Sequence, residues 1–224
     1  MVLSPIVAAL LIGAVHFFGE RIDEYTGRFN IFFVSFSAGV TLAYFFTALI
    51  PETIKYNTFG IENFTPLVGL SIFYALEEVV YHEDKNFGEI KYHFKEIHTA
   101  FVGLYHVAIG MILPFLYESS VQQYYLFLIP VLIHTAVNSL AMKEMHEEML
   151  ESIPLQVLIS LSTVMGVLVA ASLNISHSFS YSLLGVLGGS FMYIVIHDSL
   201  NPHTQRPLGF VAGMTLFLLI FVLA

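Results

Sequence analysis

Long apolar stretches separated by short polar breaks are the dominant pattern of this chain. Eight of them approach the roughly 20 residues that an α-helix needs to cross the hydrocarbon core of a bilayer. They lie at about 2–19, 31–50, 64–81, 97–117, 124–142, 153–173, 179–196 and 207–224. Most of the breaks are too short to hold a separate soluble domain. The pattern therefore predicts an all-α membrane protein, with eight transmembrane helices in one bundle that comprises residues 1–224.

Composition agrees with a membrane setting. Hydrophobic residues make up 57% of the chain and charged residues only 11%, whereas about a quarter of a typical soluble domain is charged. We therefore expect an integral membrane protein in contact with the lipid bilayer. The net charge of -9 argues against nucleic acid as a partner, because no basic surface is available to neutralise phosphates. With no cysteine in the chain, a metal would be bound by imidazole, carboxylate, thioether, amide or hydroxyl groups.

The basic residues predict the orientation of the helices. Seven of the eight lie in the first, third, fifth and seventh polar breaks, and only Lys55 lies in an even-numbered one. The seven are Arg21, Arg28, Lys85, Lys91, Lys95, Lys143 and Arg206. Loops rich in Lys and Arg stay in the cytoplasm, so we expect both termini on the outside. The short chain without a targeting extension is typical of a prokaryotic plasma membrane protein.

A short phrase that occurs twice is the clearest functional signal. Ile97-His98-Thr99-Ala100 in the fourth apolar run matches Ile133-His134-Thr135-Ala136 in the fifth. Ionisable side chains within membrane helices are costly and usually face the interior of the bundle. We therefore expect the two histidines to lie at matching positions inside the bundle, where function is to be sought.

Several segments resemble the zinc/iron permease (ZIP) family of divalent-metal transporters. Ser37–Ala43 followed by Ala48–Glu52 is similar to the second helix of that family, including its Leu-Pro-Glu-like exit. Tyr74–Glu78, leading to the acidic and histidine-containing third break, resembles the end of its third helix, and Leu184–Asp198 resembles its seventh. Together with the eight helices and the outer termini, the resemblance extends over nearly the whole chain. It implies the ZIP fold and passage of a metal ion.

The metal motifs of that family are only partly present. The family carries His-Asn-x-x-Asp/Glu-Gly on the fourth helix and His-Glu-x-x-His/Glu-Gly on the fifth, and these residues form a two-metal site. Here His98 and Gly103 remain from the first motif and His134 from the second, while neither helix keeps the carboxylate. Neutral imidazoles leave the charge of an ion uncompensated in an apolar environment. We therefore expect at most one metal.

The resemblance implies a divalent metal such as Zn²⁺ as substrate, with no permanently bound cofactor. The predicted metal ligands are His98, His134, Asn138 and Thr135, joined by His106 on the fourth helix and Asp198 near the end of the seventh. A plainer interpretation makes His98 and His134 interhelical hydrogen-bonding residues, at roughly 0.6–2 kcal/mol each. On that interpretation His106 packs in the bundle, and we expect a structural role for His16, because the sequence does not indicate which residue it contacts.

Three functions remain open at this stage. The first is binding or transport of a metal ion, the second is a non-transporting scaffold or sensor with the ZIP fold, and the third is transport of a non-cationic solute. The chain contains no Gly-x-Ser-x-Gly, Walker or zincin motif, so we do not expect an enzyme. The small residues Gly185, Gly188 and Gly189 permit close helix packing, either within the chain or in a homodimer.

Overall fold

The computed structural model describes residues 2–22, 30–55, 60, 62–84, 91–141, 153–173, 175–199 and 206–223. Within these ranges it describes the side chains except those of residues 20–22, 30, 62, 77, 79–84, 91–99, 138–141 and 198–199.

Eight helices and no strand are found in the described ranges. They are α1 (Pro5–Ile22), α2 (Asn30–Tyr44, with a π-helical turn Phe45–Leu49 and a last segment Ile50–Lys55), α3 (Thr65–Asp84), α4 (Lys91–Ser119), α5 (Val121–Ala141), α6 (Ile153–Ser172), α7 (His177–Ile194, with a π-helical turn Val195–Ser199) and α8 (Pro207–Leu223). A short 3₁₀ helix, Glu62–Phe64, precedes α3. Each predicted apolar run overlaps one of these helices. The all-helical class is confirmed.

Four segments of the described chain are long and apolar enough to cross a membrane. They are Ile31–Lys55, Ala100–Ser119, Ile153–Ser172 and His177–His197. Parts of α1, α3, α5 and α8 form shorter apolar helices. Large hydrophobic side chains such as Leu104, Leu208 and Leu223 are exposed on the outside of the bundle. An outer surface of this kind is typical of helices that face lipid.

Glycine brings the backbones of α2 and α8, and of α3 and α7, close together. A Cβ added at Gly39 of α2 would collide with the carbonyl oxygen of Phe210 in α8, and one at Gly213 of α8 would collide with that of Phe36 in α2. Gly69 and Gly189 make equivalent contacts between α3 and α7. These four helices form one group, in which α2 and α7 lie next to each other.

A second group contains α1, α4 and α6. Gly110 of α4 and Gly166 of α6 face each other, and each lies against a backbone carbonyl of the opposite helix. Gly13 of α1 lies in the same way against the carbonyl oxygen of Ser160 in α6. Small residues at membrane helix crossings permit such approach and the van der Waals packing that stabilises it.

α5 lies between the two groups. It packs against α1 on one side and α2 on the other, and it contains no glycine. None of the described glycine contacts connects α5 to either group, or α4 to α7. We call this boundary the seam. Side-chain contacts such as that of Tyr105 with Phe191 connect the helices across it.

The second helix continues beyond its predicted end at residue 50. The Ile50 N–H bonds to the carbonyl oxygen of Phe45, five residues back, which defines the π-helical turn just before Pro51. A proline in an α-helix clashes with the carbonyl four residues earlier, and the wider turn relieves this clash. The chain therefore stays helical through Pro51 to Lys55. Hydropathy marked the apolar part of the helix and not its end.

The glycines of α7 face neighbours within the chain. Gly185 and Gly189 lie against Thr65 and Pro66 at the start of α3, and Gly188 lies against the side chain of Leu49 in α2. Close packing of these small residues is therefore confirmed. The neighbour that they pack against is this chain, so they provide no argument for a homodimer.

We predict that Gly110→Val destabilises the bundle and that Gly103→Ala does not. Valine at position 110 must push α4 away from α6, and overpacking of this kind costs about 1–3 kcal/mol. Gly103 lies on the same helix but has open space around its Cα, so alanine there is expected to stabilise the helix by up to about 1 kcal/mol. Thermal unfolding of the purified variants in detergent measures the difference. Equal melting temperatures would show that the α4–α6 contact is not needed.

Candidate functional site

Three histidines from three helices line one cavity. The cavity has a volume of about 40 Å³, enough for a few water-sized groups. Helices α1, α3, α4, α5 and α7 contribute to its wall, so it lies at the seam. The lining residues are His16, Phe73, Val102, Tyr105, His106, His134, Thr135 and Ile194. We call it the histidine cavity.

A hydrogen bond within the second group of helices holds the side chain of His106. Its Nδ1 lies 3.2 Å from the hydroxyl oxygen of Thr163 in α6, and Thr163 is completely buried. The backbone carbonyl of the same threonine lies against Gly110, at the close contact between α4 and α6. A histidine whose Nδ1 is engaged in this way keeps Nε2 for a second partner. The fold therefore fixes the ring of His106 at the cavity wall.

His16 of α1 is next to His106. The two rings meet edge to face, with centroids 5.2 Å apart and an interplanar angle of 84°, and both side chains are buried. His106 could not be recognised as a neighbour of His16 from the sequence, because 90 positions separate the two residues. One signal was available, since His16 is an ionisable residue within an apolar run. The structure adds it to the candidate site.

His134 reaches the cavity from α5, together with the adjacent Thr135. Both are buried. The imidazole of His134 lies against the ring of Phe191 in α7, with centroids 4.2 Å apart. Phe191 in turn stacks on Tyr105 of α4, with centroids 6.0 Å apart and an interplanar angle of 17°. An aromatic wall therefore borders the cavity on one side.

The predicted ligands do not all lie at one level of the bundle. His106, His134 and Thr135 share the cavity, whereas the side chains of His98, Asn138 and Asp198 lie outside the described residues. Along α4, His98 precedes His106 by eight residues, which is about 12 Å at 1.5 Å per residue. We therefore assign His98 to a different level from the cavity.

The cavity contains donor atoms of the types that bind metal ions, but their spacing does not form a coordination site. Imidazole nitrogens are preferred ligands of zinc, copper and nickel, and a threonine hydroxyl can add an oxygen. Among the side chains that the structure describes, no group of three or more His, Asp or Glu residues is close enough together to hold a metal ion. Two neutral imidazoles, His16 and His106, are in direct ring contact. Coordination by a third requires side-chain movement.

Comparison of the chain with models of known protein families and with curated proteins gave no match.

We predict that Thr163→Val destabilises the protein, whereas Thr163→Ser does not. Valine has nearly the same shape but leaves the buried Nδ1 of His106 without this partner, at a cost of about 1–3 kcal/mol. Serine keeps the hydroxyl. Thermal unfolding in detergent provides the measurement, and the same substitutions in a His106→Leu background provide the coupling energy. An equal effect of Thr163→Val with and without His106 would contradict a role for the bond.

Proposed function

We propose that this protein is a ZIP-like membrane protein that binds or transports a divalent metal ion, with zinc as the representative case. The observation that carries the proposal is that His106 of α4 and His134 of α5 line the same buried cavity. The ZIP resemblance assigns the metal site to these two helices. His16 supplies a third imidazole from α1.

The chemistry of the cavity supports passage of a metal ion more than its tight binding. Its described lining consists of neutral donors in an apolar environment, so a divalent ion keeps most of its charge there. Such a site binds weakly. Conduction requires binding that is favourable enough for an ion to enter and weak enough for it to leave, and a neutral imidazole site meets the second condition.

The remaining candidate residues mark a path from the cavity. Asn138 lies one turn beyond His134 on α5, and His98 lies two turns before His106 on α4. Because α4 and α5 are antiparallel, both steps lead in the same direction. The basic residues near the start of α4 assign this direction to the cytoplasm. We propose that an ion in the histidine cavity passes these residues on its way to or from the cytoplasmic side.

The proposed mechanism is rocking of one helix group against the other. Close glycine contacts connect helices within each group, and side chains connect the groups across the seam. A seam of this type can rearrange with little change inside the groups. Movement around a fixed site near the bilayer midplane is the general solution of secondary transporters. The proposal includes eight membrane crossings with both termini outside.

The neutral lining also supports a second candidate. A cavity whose described wall has no carboxylate suits an uncharged or anionic solute as well as a cation. A scaffold or sensor with the same fold is the corresponding non-transporting alternative. These alternatives predict no uptake of metal ions beyond that of empty liposomes.

We predict saturable uptake of Zn²⁺ by proteoliposomes that contain the protein and a zinc-sensitive dye in their lumen. His106→Ala and His134→Ala each remove a neutral donor, and loss of a ligand is expected to reduce uptake by about tenfold or more. His98→Ala tests the cytoplasmic part of the path. His177→Ala is the matched control, because that histidine is exposed at the start of α7.

Two results of the uptake experiment would count against the proposal. Uptake no faster than in empty liposomes, for zinc and for other divalent ions, would overturn metal transport. Uptake that is equal in the wild type and in all three histidine variants would remove the histidine cavity from the path.

A further inference from the structure

A second, smaller cavity lies at the seam beside the first. Its volume is about 10 Å³, about the space of one water molecule. Most of its wall is apolar and includes Ile109 of α4, Phe127 and Val131 of α5 and Leu187 of α7. α2 contributes Phe45 and Leu49 from its π-helical turn. We call it the apolar cavity.

The two cavities are consecutive along the same helices. On α4, Ile109 of the apolar cavity lies about one turn beyond His106. On α5, Val131 lies about one turn before His134, and on α7 Phe191 lies about one turn before Ile194. Since α4 is antiparallel to α5 and α7, all three displacements have the same direction. One turn corresponds to about 5.4 Å, so the cavities form a single column.

Tyr105 and Phe191 lie where the cavities meet. Tyr105 lines both cavities, and Phe191 lines the apolar one. The ring of Phe191 also contacts His134 of the histidine cavity at a centroid distance of 4.2 Å. Phe191 belongs to the group of α2, α3, α7 and α8, whereas its two ring partners are on α4 and α5. The partition is therefore formed across the seam.

We propose that the two cavities are compartments of one solute path and that Phe191 is the gate between them. The identity of the solute rests on the proposed function, whereas the path and its gate are inferred from the geometry of the cavities alone. A polar or charged solute cannot remain in an apolar space as small as one water, so the apolar cavity is a constriction of the path. Hydrophobic constrictions gate by excluding water. Movement of α7 against α4 and α5 separates Phe191 from Tyr105 and joins the cavities.

The natural absence of cysteine makes the gate directly testable. Val102→Cys places a thiol at the histidine cavity, and Val131→Cys places one at the apolar cavity. Each reporter is treated with a small membrane-impermeant thiol reagent in membrane vesicles of both orientations. With Phe191 present, we expect the thiol of Val102→Cys to react with reagent added on the cytoplasmic side. We expect the thiol of Val131→Cys to react with reagent added on the outer side, or to react more slowly than Val102→Cys from both sides.

Phe191→Ala is expected to increase reaction from the opposite side about tenfold or more for at least one reporter. Phe127→Ala is the matched control, because it removes an equal ring from the apolar cavity but leaves the Phe191–Tyr105 stack intact. Phe191→Leu provides a second variant if alanine prevents folding, and it should give a smaller increase in the same direction. Unchanged rates in a folded Phe191 variant, or equal increases for Phe127→Ala, would overturn the gate.

This experiment is independent of the proposed substrate. If Phe191→Ala increases thiol labelling but the wild type takes up no zinc, the gate is supported and metal transport is rejected. Histidine-dependent zinc uptake with unchanged labelling would retain metal transport and reject the gate.

Discussion

Close backbone contact at glycine is the constraint on which this bundle depends. In a bilayer, helices gain little from hiding apolar surface, so their association relies on van der Waals packing at short distance. Glycine pairs such as Gly110 with Gly166 provide that packing. The positions of these glycines also determine where close backbone packing is absent. α5 has no glycine, and the two cavities described above lie at the seam beside it.

The placement of the histidines follows from the same constraint. His16, His106 and His134 are buried within long apolar stretches of the chain, and a buried polar group needs a partner. The seam is where their rings can meet one another and the cavity. Thr163 connects this polar cluster to the close α4–α6 contact through His106. The site is therefore held by the packed part of the bundle, while its aromatic wall comes from the opposite group.

Much of the fold could be predicted from the sequence, and less of the site. The apolar runs located the eight helices of the described ranges, because long apolar stretches without breaks favour buried or lipid-facing helices. The π-helical turn before Pro51 was not predicted, since hydropathy carries no information on backbone hydrogen bonding. The repeated Ile-His-Thr-Ala phrase drew attention to α4 and α5, and His106 and His134 of these helices line one cavity. It could not show that His16 is the neighbour of His106, because that contact depends on how α1 packs.

The repeated phrase drew attention to His98 and His134 at matching positions of two helices. His134 lines the cavity together with His106, whereas the side chain of His98 lies outside the described residues. Two helices that run in opposite directions bring different positions to the same depth. Which residues of α4 and α5 share a depth therefore depends on how the two helices pack, and the sequence pattern does not contain that information.

The proposed function requires a metal ion to bind in the histidine cavity. Anomalous diffraction from crystals soaked with Zn²⁺, measured at the zinc absorption edge, is the decisive experiment, because it locates the ion without reference to activity. We expect one anomalous peak within coordination distance, about 2.0–2.1 Å, of a ring nitrogen of His106 or His134. No peak in the cavity, with zinc visible only at surface residues, would rule out the proposed site.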